Sequence, residues 1–306
     1  MASERKKNTD QWQLEKLSLA YPFDWHEIDD FSNLTMDAQE IPQVYLGRAL
    51  GWHYNPVAIA QYGLHCLTGF AQEGRVRDQF KARAMAEWLA EHQQEWRNGI
   101  GAWVYSYDES FYGPRAPWIS AMAQGEAISL LLRMSQMGDT TAYEDAARRA
   151  MLAFVYPVSD GGVVQAFPDG SPAFEEYPTS PRSLVLNGML FALLGVRDYA
   201  VHFGDRPSQQ LFELCIAGLK KNLLRYDTGY WTLYDLHPTR RLASAKYLRI
   251  HVQLLQIFSQ LTSDARFSEV VKRWSGYLQR RWCRTKFTTV KVIEKIRLGG
   301  RGAVEA

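Results

Sequence analysis

Three tyrosines sit where proton-transfer chemistry is usually built. Tyr177 lies in FEEYPTSP, Tyr234 in GYWTLYDL and Tyr247 in ASAKYLRIH, each a polar stretch beside a strong helical pattern. Loops that carry Glu, Tyr, Asp, Arg and His between rigid helices are common places for sites. Phenols and carboxylates at such positions fit a groove for an extended polar ligand. The surplus of aromatic residues, 16 Tyr, 14 Phe and 10 Trp, fits either stacking on sugar rings or a large helical core.

The elements that must position these residues are read from helix starts. Pro56, Pro117 and Pro181 each open a helical pattern, with Asn55 and Ser180 as N-caps of the first and third, and Ser244 opens a fourth. The starts recur roughly every 60 residues, the signature of a repeat architecture. In each repeat the first helix is apolar on most sides, as in PWISAMAQGEAISLLLRM, and the second is amphipathic. In the first repeat the apolar stripe reads Phe80, Ala84 and Trp88, with Met85 and Leu89 beside it. Buried inner helices followed by half-exposed outer ones predict a mainly α protein, an incomplete α/α toroid of about four hairpins. Alternation in AWVYSY, GVVQAF and YWTLYD predicts short β-hairpins at one mouth. The same connections bring Tyr105, Glu109, Glu176, Asp235, His237 and Arg241 to that mouth. The expected division is an N-terminal arm (1–45), the toroid (46–284) and a C-terminal hairpin or tail (285–306).

Bulk properties exclude several classes. The 306 residues, 46% hydrophobic, are ample for a large core, and 35 Lys+Arg against 33 Asp+Glu give no global pull toward nucleic acid. Neither a signal-peptide core nor a membrane-length apolar run is visible, so a cytoplasmic protein with no membrane insertion is expected. Cys66, Cys215 and Cys283 fall in apolar helical patterns and read as buried free thiols. The absence of HExxH, CxxC, EF-hand and phosphate-loop patterns gives no reason to expect a metal or a nucleotide cofactor.

The motifs YNPVAIAQYGL, PWISAMAQGEAIS, EEYPTSPRSLVLNGM, YDTGYWTLYDL and YLRIHVQLL resemble, in order and spacing, the C-terminal domain of the D-glucuronyl C5-epimerases. The resemblance covers roughly 200 residues and implies inversion of C5 in glucuronate residues of a heparosan-like polysaccharide. It carries active-site status onto Tyr177, Tyr234, Tyr247 and Glu176. It leaves a homodimer open, since enzymes of this family are often dimers. Two departures stand out: animal members place Arg after YDL, where this chain has His237, and they carry an N-terminal β-rich region, with a calcium site, that this chain has no room for.

Removing a proton alpha to a carboxylate requires acid/base groups on opposite faces of the sugar and donors that stabilise the growing charge. Tyr247 and Glu176 are the expected opposed pair. Lys246, Arg249 and His251 are expected to supply a positive field that lowers the Tyr247 phenol from its ordinary value near ~10. Tyr177 and Tyr234 would donate to the carboxylate or position the ring, with Arg182, His237 and Arg241 neutralising it. Gln124 and Asn187 would bind hydroxyls, and Trp118, Trp231 and Tyr105 would line the sugar path, His251 beside them. Three alternatives stay open from residues alone: a uronate lyase, a glycoside hydrolase using Glu109, Glu176 or Asp235, and a non-catalytic binder of acidic glycans.

Overall fold

The structure, a computed structural model, describes residues 17–297 apart from 27, 29, 30, 33, 139 and 140. Four helical hairpins follow one another. The inner helices are α1 (Pro56–Glu73), α3 (Ala121–Ser135), α5 (Leu186–Phe203) and α7 (Ala245–Thr262). Their outer partners are α2 (Val76–Glu91), α4 (Thr141–Met151), α6 (Arg206–Asn222) and α8 (Ala265–Gln279). The inner helices pack in the order α1, α3, α5, α7, each against its own outer helix, and form an incomplete α/α toroid. Every residue of α3 is buried, as its all-round apolar sequence requires. Where α3 crosses α5, a Cβ on Gly125 would lie 2.5 Å from the Ala192 Cα, so only glycine permits this approach.

Local sequence explains most of the boundaries. Asn55 accepts from the Val57 N–H and Pro56 fills the first position of α1, which ends at left-handed Gly74. Ser244 caps α7, and Asp205 and Asp264 cap α6 and α8. Pro117 and Pro181 depart from expectation: both follow cis bonds and lie outside helices, with α3 starting at Ala121 behind Ser120 and α5 at Leu186 behind Val185. Ser180 caps nothing, because the backbone between these prolines and the helices is bound elsewhere: Trp118 bridges Tyr105, and the Ser183 and Leu184 N–H groups donate to Glu175. On α2 the buried stripe is Ala82, Met85, Ala86 and Leu89, and Phe80 is 65% exposed.

Strands are short. Thr35–Met36 (β1), Pro42–Tyr45 (β2) and Trp52–Tyr54 (β3) form an antiparallel sheet that spans the expected 45/46 boundary. Gln94–Glu95 (β4) pairs with Gly101–Ala102 (β5), and Val164–Ala166 (β6) with Pro172–Phe174 (β7). In the third connection the expected hairpin is reduced to bridges between Asp227 and Thr232 and between Leu233 and Leu242.

The expected C-terminal hairpin is instead a helix, α9 (Arg281–Arg297). Its inward residues Cys283, Phe287, Val290 and Glu294 follow helical rather than strand spacing, and Phe287 stacks on Trp231 at 4.2 Å. Residues 1–16 and 298–306 lie outside the described residues. The described part of the arm packs into the ring. Tyr21 donates its N–H to Thr68 of α1, the Asp24 carbonyl accepts from Gln253 of α7, and Phe23 meets Phe191 of α5 edge-on. The arm thereby fills the side of the ring between α1 and α7. The three cysteines are buried and free, and burial pushes the Cys66 and Cys215 thiols up to about 12. Among the described residues no helix is long and apolar enough to cross a membrane.

Candidate active site at the mouth of the toroid

Three connections, 92–120, 152–185 and 223–244, meet at one end and are tied to one another. The Ala121 N–H donates to the Glu175 carbonyl, Thr179 Oγ1 to the Tyr112 carbonyl, and the Leu236 N–H to the Ser183 carbonyl. Tyr112 then reaches Asp235 across the mouth, its hydroxyl 2.6 Å from Oδ2. Such cross-pinning makes these long loops rigid enough to hold side chains in fixed relation.

Adjacent glutamates after β7 differ in what they touch. Glu175 accepts from the Ser183 N–H, the Ser183 hydroxyl and the Leu184 N–H. Burial raises its carboxyl to about 7 against those hydrogen bonds, and its work is to shape the 175–184 turn. Glu176 is buried, and its Oε2 has no hydrogen-bond partner. That oxygen lies over Gly188 of α5, where a Cβ would sit 2.1 Å from it, so glycine makes the room. Burial pushes the Glu176 carboxyl up to about 8, opposed by the Tyr177 hydroxyl and the charge of Arg241.

The three tyrosines lie around this carboxyl. Tyr247 on the first turn of α7 meets Tyr234 edge-on at 4.7 Å, and Tyr177 stacks on Tyr112 at 4.8 Å. Burial, then the Glu176 charge, holds the phenols of Tyr177 and Tyr234 well above their ordinary value. They are therefore neutral donors. Of the cationic groups expected at the start of α7, Arg249 is exposed, and burial lowers His251 to about 3, which leaves it uncharged.

Arg241 is a buried cation at the mouth, with Nε 3.2 Å from Asp235 Oδ2 and Nη2 bonded to the Tyr112 hydroxyl. Its guanidinium lies 3.8 Å over the Phe111 ring and 5.0 Å from that of Tyr234. Burial works against its charge, but Tyr112 and Asp235 keep it protonated. Asp235 also accepts from the His237 N–H, and the His237 ring stands edge-on to Tyr112 at 5.6 Å. Burial raises Asp235, and its bonds to Tyr112 and Arg241 oppose the rise.

The remaining expectations divide. Trp118 forms a wall of the site, 5.7 Å from Tyr177, and stacks on Tyr105 at 4.1 Å. The Tyr105 hydroxyl is committed to Asn55, the cap of α1. Asn187 starts α5 behind Glu176, its Oδ1 without a hydrogen-bond partner. Gln124, Trp231, His251 and Arg182 are not brought to the mouth. Gln124 clamps the Trp103 N–H and the Gly101 carbonyl, because polar atoms buried between helices must find partners. Trp231 donates to the Ala243 carbonyl and packs under α9. His251 is fully buried, with Nδ1 3.4 Å from the Thr232 hydroxyl. Arg182 donates to the Ala166 carbonyl on β6. Tyr112 and Phe111 were missed, because FYGPRA has no periodicity, and its aromatic density was the one available signal. Among the described residues no group of three His, Cys, Asp or Glu side chains could hold a metal ion.

Paired helices around a mouth of carboxyl, phenol and guanidinium groups define an α/α-toroid protein with a candidate acid/base site. Residues 97–276 match the D-glucuronyl C5-epimerase C-terminus family, and the chain belongs to that family. It is 34% identical over 215 residues to a D-glucuronyl C5-epimerase of Caenorhabditis elegans, covering 63% of this chain and 34% of that protein. The chain thus spans about a third of the length of that relative. An uncharacterized protein of Methanocaldococcus jannaschii is 26% identical over 176 residues, 56% of each chain. Among solved structures, an unsaturated glucuronyl hydrolase from Bacillus sp. GL1 aligns over 72% of this chain and 61% of its own, with 19% identity and a TM-score of 0.49.

Proposed function

We propose that this protein is a glucuronyl C5-epimerase acting on an acidic, heparosan-like polysaccharide and converting D-glucuronate to L-iduronate residues. The observation that carries this reading is Glu176, a buried carboxyl with one partnerless oxygen, ringed by three tyrosines and faced by Arg241. A carboxyl near 8 is mostly protonated at neutral pH, so Glu176 delivers a proton to C5 on one face of the sugar and takes one back in the reverse direction. Tyr247 serves the opposite face. As C5–H breaks, charge builds on the uronate carboxylate. Arg241 and the neutral phenols of Tyr177 and Tyr234 stabilise it from fixed positions in a partly dry mouth. Asp235 and Tyr112 hold the Arg241 guanidinium in plane, and His237 lies beside them at the rim. The stacked Trp118 and Tyr105 line the path of the polymer.

Proton NMR of heparosan incubated with the protein in deuterated water tests the proposal. The glucuronate H5 signal should fade as iduronate signals rise, and Glu176→Gln should abolish both changes. An unsaturated, ultraviolet-absorbing product would instead identify a lyase, and binding with an intact H5 signal would identify a glycan-binding protein.

A further inference from the structure

Behind Glu176 three inner helices present matched faces to the axis of the toroid. On α3 these are Met122, Glu126, Ser129 and Arg133, one helical face by spacing. On α5 they are Asn187, Phe191, Leu194 and Asp198, and on α1 Val57, Gln61, Leu64 and Thr68. Contacts set the faces in register. Asn187 Nδ2 is 4.0 Å from Met122 Sδ, Gln61 Nε2 donates to Glu126 Oε1 at 3.0 Å, and Ser129 Oγ donates to Asp198 Oδ2 at 2.7 Å. A polar seam therefore runs from the mouth to the Arg133–Asp198 ion pair at the far end.

Glu126 places a carboxyl inside this core. It is fully buried on an all-buried helix, and its one hydrogen-bond partner is a neutral amide. The Arg133 charge is spent on Asp198, two turns away. A charge on Glu126 would act against Tyr21 of the arm, Tyr105 of the first connection and Glu176 of the second. A buried carboxyl in such a setting is protonated at rest. Gln61 occupies Oε1, so the proton belongs on Oε2, and Oε2 has no protein partner. Asn187 Oδ1 and Glu176 Oε2 share that condition. Buried polar atoms left unpaired by protein are the usual partners of internal water.

We propose that Glu126 is the proton store behind Glu176, joined to it by internal water between α1, α3 and α5. The idea rests on the reading of Glu176 as an acid/base group. After Glu176 gives its proton to C5, the Oε2 proton of Glu126 passes to water as that water passes one to the Glu176 carboxylate. One negative charge moves from Glu176 to Glu126 and no other bond changes. The reset needs no bulk water at the mouth, so it proceeds while the polymer lies across it.

Glu126→Gln keeps the shape of the side chain and removes the transferable proton. With iduronate residues deuterated at C5, whose label Glu176 takes in the reverse direction, the wild-type protein in ordinary water should lose the label to solvent. Glu126→Gln, with an unchanged unfolding midpoint, should return the label to C5 several-fold more often per epimerisation. An unchanged ratio of label lost to label returned overturns the proposal. A second measurement does not depend on turnover. The infrared spectrum of the free protein at neutral pH should contain a protonated-carboxyl band that Glu126→Gln removes and Glu176→Gln displaces. If Glu126→Gln removes no band, or Glu176→Gln leaves it in place, the store does not exist, whether or not heparosan is epimerised. A protein that leaves H5 of heparosan untouched would sink the epimerase reading alone, and the infrared result would still decide this one.

Discussion

At the far end of the toroid axis, Asp198 is buried against Arg133 and Ser129, with both oxygens in reach of the guanidinium. At the mouth, Glu176 is buried to a similar depth with one oxygen unpaired, and its carboxyl is pushed up to about 8. Asp198 lies on α5 and Glu176 lies against α5 at Gly188, both buried, so depth does not separate them; partners do. A buried charge that is fully paired is fixed and inert, whereas a buried carboxyl with an unpaired oxygen retains its proton and can give it away. Glu175 makes the same point over one residue: three donors turn it into a clamp for a turn, while its neighbour stays available.

Breaking the paired end should have the largest effect on stability. Arg133→Met leaves buried Asp198 with only the more distant Arg197, whose Nη1 is 3.7 Å from Oδ1, and the protein should lose about 3–5 kcal/mol, read as a lower thermal midpoint. An unchanged midpoint would mean that the far end is wet and the contrast false. At the mouth the expectation reverses. Glu176→Gln should lower C5 exchange by about 10²–10⁴-fold with stability unchanged or higher, because an amide does not resist burial as a carboxylate does. Loss of stability with activity retained would assign Glu176 to the scaffold.

The raised carboxyls give the contrast a pH dependence. An unfolded Glu176 would titrate near 4.5, and the folded one at about 8. Between those values the folded state holds a proton that the unfolded state has lost. Its contribution to stability is therefore complete below the lower value and is lost as pH rises through the upper one. Unfolding free energy should fall across roughly pH 5 to 8, by up to about 1.4 kcal/mol per pH unit for this one group. Glu175 adds to the fall up to about 7. Chemical denaturation at several pH values should show a shallower slope in Glu176→Gln; identical slopes would show that Glu176 is ionised in the native protein. The smallest effect is expected from Tyr112→Phe, which removes the hydroxyl between Asp235 and Arg241. Because the Asp235–Arg241 contact remains, stability should fall by only about 0.5–1.5 kcal/mol, and C5 exchange should fall far less than in Glu176→Gln. A loss as deep as that of Glu176→Gln would give Tyr112 a direct part in the chemistry.

The hairpin repeat was legible because each inner helix is apolar all round and each outer one is striped, a signal that averages over fifteen or more residues. Single positions were less so. Pro117 and Pro181 resemble first-turn prolines, but the N–H groups of Trp118 and Ser183 are taken by Tyr105 and Glu175, in the connections upstream of them. The Tyr112–Asp235–Arg241 arrangement joins residues 123 and 129 positions apart and leaves no local period to read. Gln124 and Asn187 look alike as polar residues on buried helices. One is turned to the first connection and the other to the axis, and that choice follows from how α3 and α5 are rotated once Gly125 lets them touch. The tyrosines were found through motif order, and their company around Glu176 emerges only in three dimensions.

The arm that fills the gap between α1 and α7 bears on how the chain is made. The hydrogen bond from Gln253 to the Asp24 carbonyl joins positions 229 residues apart. A ribosome delivers the amino end first. Phe23 and Trp25 must therefore wait, with their rings exposed, until α5 and its Phe191 have emerged. Contacts of such long range make closure of the ring a late and slow event in folding. During synthesis this short aromatic segment needs shelter until those partners arrive.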